Sequence, residues 1–416
     1  MKRPAFVVLS ALSAALSCGD KQSTPPPPAA STGAFGIVTV DGKQKLYLPQ
    51  TTGATGTISV VDVGAAGKGT AGAPALITTI SLGANTYATS TSGTSTVVVA
   101  ASTDFPTVWF IDPRTEKVIG TLALSSAGRS GFSGGGGYVT GIAMDEANHR
   151  AILSVWNGFA IVDLNTRTIT STILAPPSEN FAFDATRQRI VAPFYECTGS
   201  QGPQGEAPST CAAMKGPTGN AMTDGLNVID LADGTVYTYQ NTAAKDPDQP
   251  VGSEPDAASV DVSTGVAVVP SEGDDYQSVI DLSKAVFDKA KKSVTAPQRI
   301  VRPQQGYTGV SVEPTSHQAF FEEEHDSLVG LVQLSDANAG GGSFVEASMP
   351  QLPDGSGWSN MGDPHGIAVT TGAADGRSYG FLVSSERRWV ARVDLAKMAA
   401  SQLATGVTYL DAANKP

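Results

Sequence analysis

Catalytic signatures are missing from this chain. It has no HExxH pair, no Walker A loop and no EF-hand loop, so the chemistries those motifs carry have no anchor in it. Cysteine and histidine are scarce, with three and four in 416 residues. The histidines are scattered, and His149 and His317 fall in polar turn sequences where they read as solvated turn residues. Charge is sparse at 16% and acidic in balance, with a formal net charge of −12. Nucleic acid and anionic lipid surfaces repel such a protein. One stretch, Gly131-Phe132-Ser133-Gly134-Gly135, matches a nucleophile elbow formally. That chemistry needs a strand-to-helix turn, and SGFSGGGG reads as a flexible glycine loop.

The N-terminal apolar segment AFVVLSALSAAL is too short to span a bilayer. Preceded by Lys2 and Arg3, it reads as a signal peptide over residues 1–17. It ends Ala15-Leu16-Ser17-Cys18, and small residues before a cysteine resemble a bacterial lipobox. On that resemblance Cys18 is diacylated and becomes the mature N-terminus; the other reading is an ordinary secretory signal. Gly rather than Asp at position 19 resembles lipoproteins sent on to the outer membrane. Residues 18–33, with four consecutive prolines, read as an extended spacer between membrane and domain. If Cys18 carries lipid, Cys197 and Cys211 remain as a pair. Export favours a disulfide that closes the loop CTGSQGPQGEAPSTC, against the alternative of two free thiols.

What the chain has in quantity is turn residues, 45 Gly and 26 Pro, and a recurring pattern. A short apolar run ends in Asp, once in Gln, and a turn comes next: TISVVDVG, VWFIDPRT, FAIVDLNT, LNVIDLAD, QSVIDLSK, VGLVQLSD and VARVDLAK. The marked positions are Asp62, Asp112, Asp163, Asp230, Asp281, Gln333 and Asp394. A β-type repeat of about 40–50 residues predicts a propeller. Seven recurrences predict an all-β, seven-bladed β-propeller over residues 34–416, each blade four antiparallel strands named A to D from the axis outward. Blade 3 reads VTGIAMD (139–145), RAILSVW (150–156), FAIVDL (159–164) and TITSTIL (168–174), and the blades start near Phe35, Thr86, Val139, Asn180, Ala257, Thr308 and His365. The Asp-type positions fall at C–D turns, where a carboxylate accepts backbone N–H groups; their place in every blade makes them structural. Residues 197–224 read as an insertion between strands B and C of blade 4. SKAVFDKAKKS (283–293) and AKMAASQLA, before the last strand TGVTYLD, read as helical.

The recurrence of apolar run, Asp and turn, followed by an inner strand such as DPHGIAVT, resembles the YVTN- and NHL-type seven-bladed propellers over nearly the whole mature chain. Topology then points to a face. D–A connections and B–C loops open on one side of a propeller. The strand-B ends read VAPFYE, VVPSE, FFEEE and LVSSE, placing Glu196, Glu272, Glu324 and Glu386 at equivalent positions in blades 4 to 7. The strand-A starts add Glu179, Glu254, Asp256, Asp363 and His365, while blades 2 and 3 offer Asp104, Tyr138, Trp156 and Asn157. Converging carboxylates raise one another's pKa or take up a cation. Oxygen ligands suit Ca²⁺ or Mg²⁺, and His365 leaves room for a transition metal. The plainer reading is a set of solvated loop acids, with Arg387 and Arg388 neutralising Glu386. Two functions are open. One is an exported, membrane-tethered lipoprotein scaffold that binds a protein or small molecule. The other is a metal-dependent hydrolase or lactonase, as in six-bladed gluconolactonase-like propellers that hold a divalent ion on the axis.

Overall fold

A computed structural model describes residues 35 to 412, apart from 51–54, 65–74, 85, 87, 104, 125–138, 156–157, 177, 196–213, 217, 242–243, 245, 247, 304–305, 325, 335–343, 362–365 and 372–375. Residues 1–33, where the signal peptide, lipidation at Cys18 and spacer are expected, lie outside these residues, as do Cys197, Cys211 and the glycine stretch at Ser133.

Seven sheets succeed one another along the chain, six of four strands and one of six. Their innermost strands are Gly36–Val40, Ser90–Gly93, Val139–Asp145, Ala182–Asp184, Ser259–Asp261, Gly309–Glu313 and Ile367–Thr371. Each touches the innermost strand of the next blade, and the seventh touches the first, so the sheets close into a ring. The apolar runs explain the packing. Each sheet is buried on both faces, so its third strand reads as nearly continuous Val, Ile, Leu and Phe rather than alternating. Seven apolar clusters result, one between each pair of adjacent blades.

Among the described residues, blades 1 and 7 are each built from one end of the chain alone, and no strand is shared at the closure. Side chains do the work instead. Phe35, Leu46 and Leu48 meet Phe381, Val383 and Val390, all fully buried. At about 1.5–3 kcal/mol for each buried side chain of this size, six outweigh the roughly 1 kcal/mol that each hydrogen bond of a shared strand would contribute. Gln50 Nε2 donates to Arg387 O at 3.2 Å and Arg387 Nη1 to Pro49 O at 3.4 Å across the same seam.

The Asp-type positions end, or nearly end, the third strand of every blade, as the repeat predicts. Asp112 Oδ1 accepts Arg114 N at 2.8 Å, Asp163 Oδ1 accepts Thr166 N at 2.7 Å, and Asp230 Oδ1 accepts Ala232 N at 3.0 Å. Asp394 Oδ1 takes Ala396 N and Lys397 N and so caps the helix α1 (Leu395–Ala399). These backbone N–H bonds hold the carboxyls of Asp112 and Asp163 below the usual range. Gln333 instead reaches the A–B turn of its blade, donating Nε2 to Ser316 O at 2.7 Å.

The face that carries the A–B and C–D turns is laced by side chains at every blade boundary. Lys45 Nζ meets Glu116 Oε1 at 2.5 Å between blades 1 and 2, and Ser95 Oγ donates to Glu146 Oε1 at 3.4 Å between 2 and 3. Arg150 Nη2 donates to Gln188 Oε1 at 2.6 Å between 3 and 4, and Arg187 Nη2 to Thr264 O at 3.2 Å between 4 and 5. His317 Nδ1 lies 2.7 Å from Asp261 Oδ2 between 5 and 6. Ser378 Oγ donates to Glu313 Oε2 at 3.1 Å between 6 and 7, and Gln44 Nε2 to Thr370 Oγ1 at 3.0 Å between 7 and 1. His317 is therefore a half-buried inter-blade partner, not the solvated turn residue its sequence suggests; exposed His149 fits that description.

One predicted helix is absent. Residues 282–284 make a single 3-10 turn, and Val286–Asp288 and Ser293–Thr295 form a β-hairpin. The hairpin lies on the outside of blade 4, pairing Ser293–Val294 in parallel with Thr238–Tyr239 and widening that sheet to six strands. Phe287 decides the outcome: its ring stands edge-on to Tyr237 at 4.9 Å and lies under the Arg189 guanidinium at 4.3 Å. A neighbouring sheet edge supplies backbone partners that an isolated eleven-residue helix would lack. Where the sequence suggests one short helix before the last strand, two shorter ones are present, α1 and α2 (Leu403–Gly406).

Candidate functional site

The opposite face is built from the segments that leave each strand B and those that enter each strand A. Glu272 comes after Val266–Val269, Glu324 after Gln318–Glu322 and Glu386 after Ser378–Val383. Glu179 precedes Ala182–Asp184, and Glu254 and Asp256 precede Ser259–Asp261. These six share the face that strand order assigns them. Glu196, Asp363 and His365 lie outside the described residues, as do Asp104, Tyr138, Trp156 and Asn157.

The six are not alike. Glu272 and Glu386 are exposed, Glu179, Glu254 and Glu324 half-buried, and Asp256 buried. In blade 5 the two mouth segments clasp: Glu272 N donates to Glu254 O at 3.0 Å, Ser271 Oγ to Ser253 O, and Ser253 N to Asp274 Oδ2 at 2.7 Å. Blade 6 joins through Tyr307 N, which donates to Ser271 O at 3.3 Å. The approach is close enough that a Cβ on Gly306 would fall 2.0 Å from Glu272 O. Arg388 serves Asp411, donating from Nη2 at 2.7 Å, and that bond raises its own pKa; the charge of Glu386 adds least. Among the described residues no group of three or more Asp, Glu, His or Cys side chains is arranged to hold a metal ion.

The strongest perturbations fall on neighbours that the sequence does not mark. In FFEEE the strand-B pattern points to the last glutamate, but the strand itself runs through Glu322, which pairs with Gly309 and is 0% exposed. Its side chain occupies the space a Cβ on Gly309 would need, 2.7 Å from Cγ and Oε1. Neither carboxyl oxygen has a hydrogen-bond partner among the described residues, and the N–H of Gly366 acts on it without reaching hydrogen-bond geometry. Burial first, then the charge of Glu324, pushes the Glu322 carboxyl well above the usual carboxylate range. Glu323 is pushed up to about 7 by burial and by Asp326, Glu272 and Glu324. A glycine opposite an acid in the register of strands A and B is the signal that could have found Glu322.

At blade 4 the site is polar and tightly framed. Ser178 O accepts Thr140 Oγ1 at 2.7 Å and Ser154 Oγ at 2.5 Å from blade 3. Asn180 N donates to Asp256 O at 3.2 Å, and Ala258 N to Asn180 O at 3.1 Å, a parallel bridge between the inner strands of blades 4 and 5. Tyr195 OH donates to Glu179 Oε1. Ser178 is 2% and Asn180 1% exposed, yet Ser178 Oγ and both polar atoms of the Asn180 amide have no partner among the described residues. Neither residue stands out in the sequence, because nothing in a lone Ser or Asn tells whether its hydrogen bonds are made.

No family model matches the chain, and no curated protein does. Solved structures do match. A hypothetical selenium-binding protein from Sulfolobus tokodaii is 10% identical, with 92% of each chain covered and a TM-score of 0.55. A functionally unknown protein from Desulfotomaculum acetoxidans is 13% identical, covering 82% of this chain and 89% of its own, with a TM-score of 0.51. The WD40 domain of Toxoplasma gondii coronin is 11% identical at a TM-score of 0.49, covering 86% of this chain and 82% of its own. At such identities the likeness is one of fold: the chain is a seven-bladed β-propeller of four-stranded blades.

Proposed function

We propose that this protein is an exported propeller, lipid-anchored at Cys18, that acts as a binding scaffold and takes its ligand on the face of the B–C loops and D–A connections. One observation carries the choice of face. On the opposite side, side-chain hydrogen bonds cross every blade boundary, and Asp145, which has one oxygen unbonded among the described residues, still binds Arg150 and Asn148 through the other. On the proposed side, Ser178, Asn180 and Glu322 are buried with side-chain atoms unbonded among the described residues. Burying such groups costs about 1–3 kcal/mol each, a cost that selection tolerates where the groups serve a ligand. The basic and apolar start of the chain, the cysteine after small residues and the proline spacer support the anchor. Such a tether holds a binding domain clear of the membrane.

Two experiments test the reading. Cys18→Ala should release the protein from membranes; retention there would remove the lipid anchor. Hydrogen exchange on the mature protein, with and without a compound that raises its melting temperature, should show protection at 178–180, 254–256, 271–273 and 322–324. Protection confined to the A–B turns would place binding on the other face.

A further inference from the structure

Strand direction fixes where the chain enters the ring. The first inner strand, Gly36–Val40, is entered from the face of the D–A connections, as every strand A is. Phe35, just before it, is 0% exposed between blades 1 and 7. Gly36 N donates to Thr91 Oγ1 of blade 2 at 3.2 Å, and Thr91 Oγ1 donates to Tyr47 O of blade 1 at 2.6 Å. A Cβ on Gly36 would stand 2.8 Å from Ser92 Cα, so the inner strands of blades 1 and 2 touch there. The spacer that precedes Phe35 is therefore rooted beside the axis, in the middle of the proposed binding face, and blades 1, 2 and 7 hold the root.

The root decides which way a tethered ring faces. Residues 18–34 reach at most roughly 50 Å as polyproline II. To turn the opposite face to the membrane, the spacer would first run from the axis to the rim, past four strands spaced about 4.8 Å apart. It would then pass down the depth of a blade, roughly 20 Å for a six-residue strand. With the central opening and side chains added, that path takes on the order of 40 Å, most of the spacer's full length. A chain pulled nearly straight gives up conformational entropy, and with the binding face toward the membrane no such stretch is needed. The exposed acids Glu272, Asp326 and Glu386 keep this face off an anionic bilayer, so a gap stays open beneath it.

We infer that the propeller stands with its binding face toward the membrane and meets its ligand in the gap between ring and bilayer, at the surface of that same membrane. The inference rests on the reading of Cys18 as the lipid anchor. The test uses the full-length lipidated protein on vesicles of phosphatidylcholine and phosphatidylglycerol that carry an energy acceptor on a lipid headgroup. A donor dye is placed at Glu272→Cys on the binding face or at Lys43→Cys on the opposite face, both exposed positions, and labelled wild type is the blank for Cys197 and Cys211. The donor at 272 should lie nearer the headgroups than the donor at 43 by on the order of 10–20 Å, up to the depth of a blade. Equal distances, or a nearer donor at 43, in protein that floats with the vesicles would overturn the orientation and leave the anchor standing. Protein that does not float would remove the anchor and the inference with it. Repeating residues 19–33 nearly doubles the spacer and should shrink the difference, because a longer chain rounds the rim at less cost. A difference unchanged by the longer spacer would show that the root does not set the orientation.

Discussion

Asp261 is the residue whose loss the ring should feel most clearly. Its side chain is fully buried at the end of the inner strand of blade 5. Oδ1 accepts Ser263 N at 3.0 Å, Ser263 Oγ at 2.6 Å and Thr264 N at 3.3 Å, and Oδ2 meets His317 Nδ1 of blade 6 at 2.7 Å. Asp261→Ala deletes all four. The abandoned groups belong to exposed Ser263 and Thr264 and to half-buried His317, so water can reach them and the cost stays below that of a sealed network. Bonds to a charged acceptor contribute about 1.5–3 kcal/mol and partial rehydration returns part of it, which gives roughly 2–4 kcal/mol in total. Burial pushes the Asp261 pKa up, but the hydrogen bonds from Ser263, His317 and Thr264 outweigh it, and the net shift is downward. The stability it contributes is therefore complete above the unfolded-state pKa of about 3.9 and is lost as pH falls through the lower folded value. Urea unfolding of wild type and Asp261→Ala should show the full difference at neutral pH and a shrinking one on acidification into that range. A double-mutant cycle with His317→Ala should return a coupling of at least about 0.5 kcal/mol. A cost under about 1 kcal/mol, or no coupling, would refute the claim that side chains of this face tie the blades together.

Particular contacts give further expected outcomes. Gly158 has φ +134°, and a Cβ there would lie 2.0 Å from Ile173 O; Gly158→Ala should cost at least about 2 kcal/mol in chemical denaturation and loosen strands C and D of blade 3. Phe287→Ala should detach the hairpin from blade 4, raising hydrogen exchange at the amides of Thr238 and Gln240, which now bond Lys292 O and Val294 O, with a loss of about 1.5–3 kcal/mol. Cys197 and Cys211 should be linked when the protein is isolated from an oxidising compartment, seen as a two-dalton gain on reduction by mass spectrometry, and Cys197→Ser should cost about 3 kcal/mol. Unchanged mass on reduction would show free thiols.

The blades are legible in the sequence because their signal is repeated. One VVD-type run is an ordinary strand, but seven at nearly constant spacing specify a ring, and the strands of blade 3 fall within one or two residues of their predicted bounds. The stretch 283–293 misleads because it has helical composition, while its fate depends on Tyr237, Arg189 and an open sheet edge some fifty residues earlier. Strand order likewise assigns Glu272, Glu324 and Glu386 to one face, since that requires only the direction of each strand. It cannot tell which acids are buried. Glu322 and Glu324 are two residues apart, and only the register with Gly309 separates a sealed carboxyl from a half-exposed one. His317 escapes a sequence reading for the same reason, because its partner Asp261 belongs to another blade.

The central claim is that the face of the A–B and C–D turns ties every blade boundary with side chains, while the other, which also carries inter-blade bonds at Gln50, Arg387 and Ser178, keeps buried polar groups for a ligand. Thermal unfolding of two ligand-free variants tests it most directly. Asp261→Ala/His317→Ala removes the inter-blade pair of the first face, and Asn180→Leu/Glu322→Met replaces unbonded groups of the second with apolar ones of similar shape. The account predicts that the first variant melts well below wild type and the second at or above it. A second variant that melts as far below wild type as the first would show that Asn180 and Glu322 are structural, and would contradict the division of the two faces.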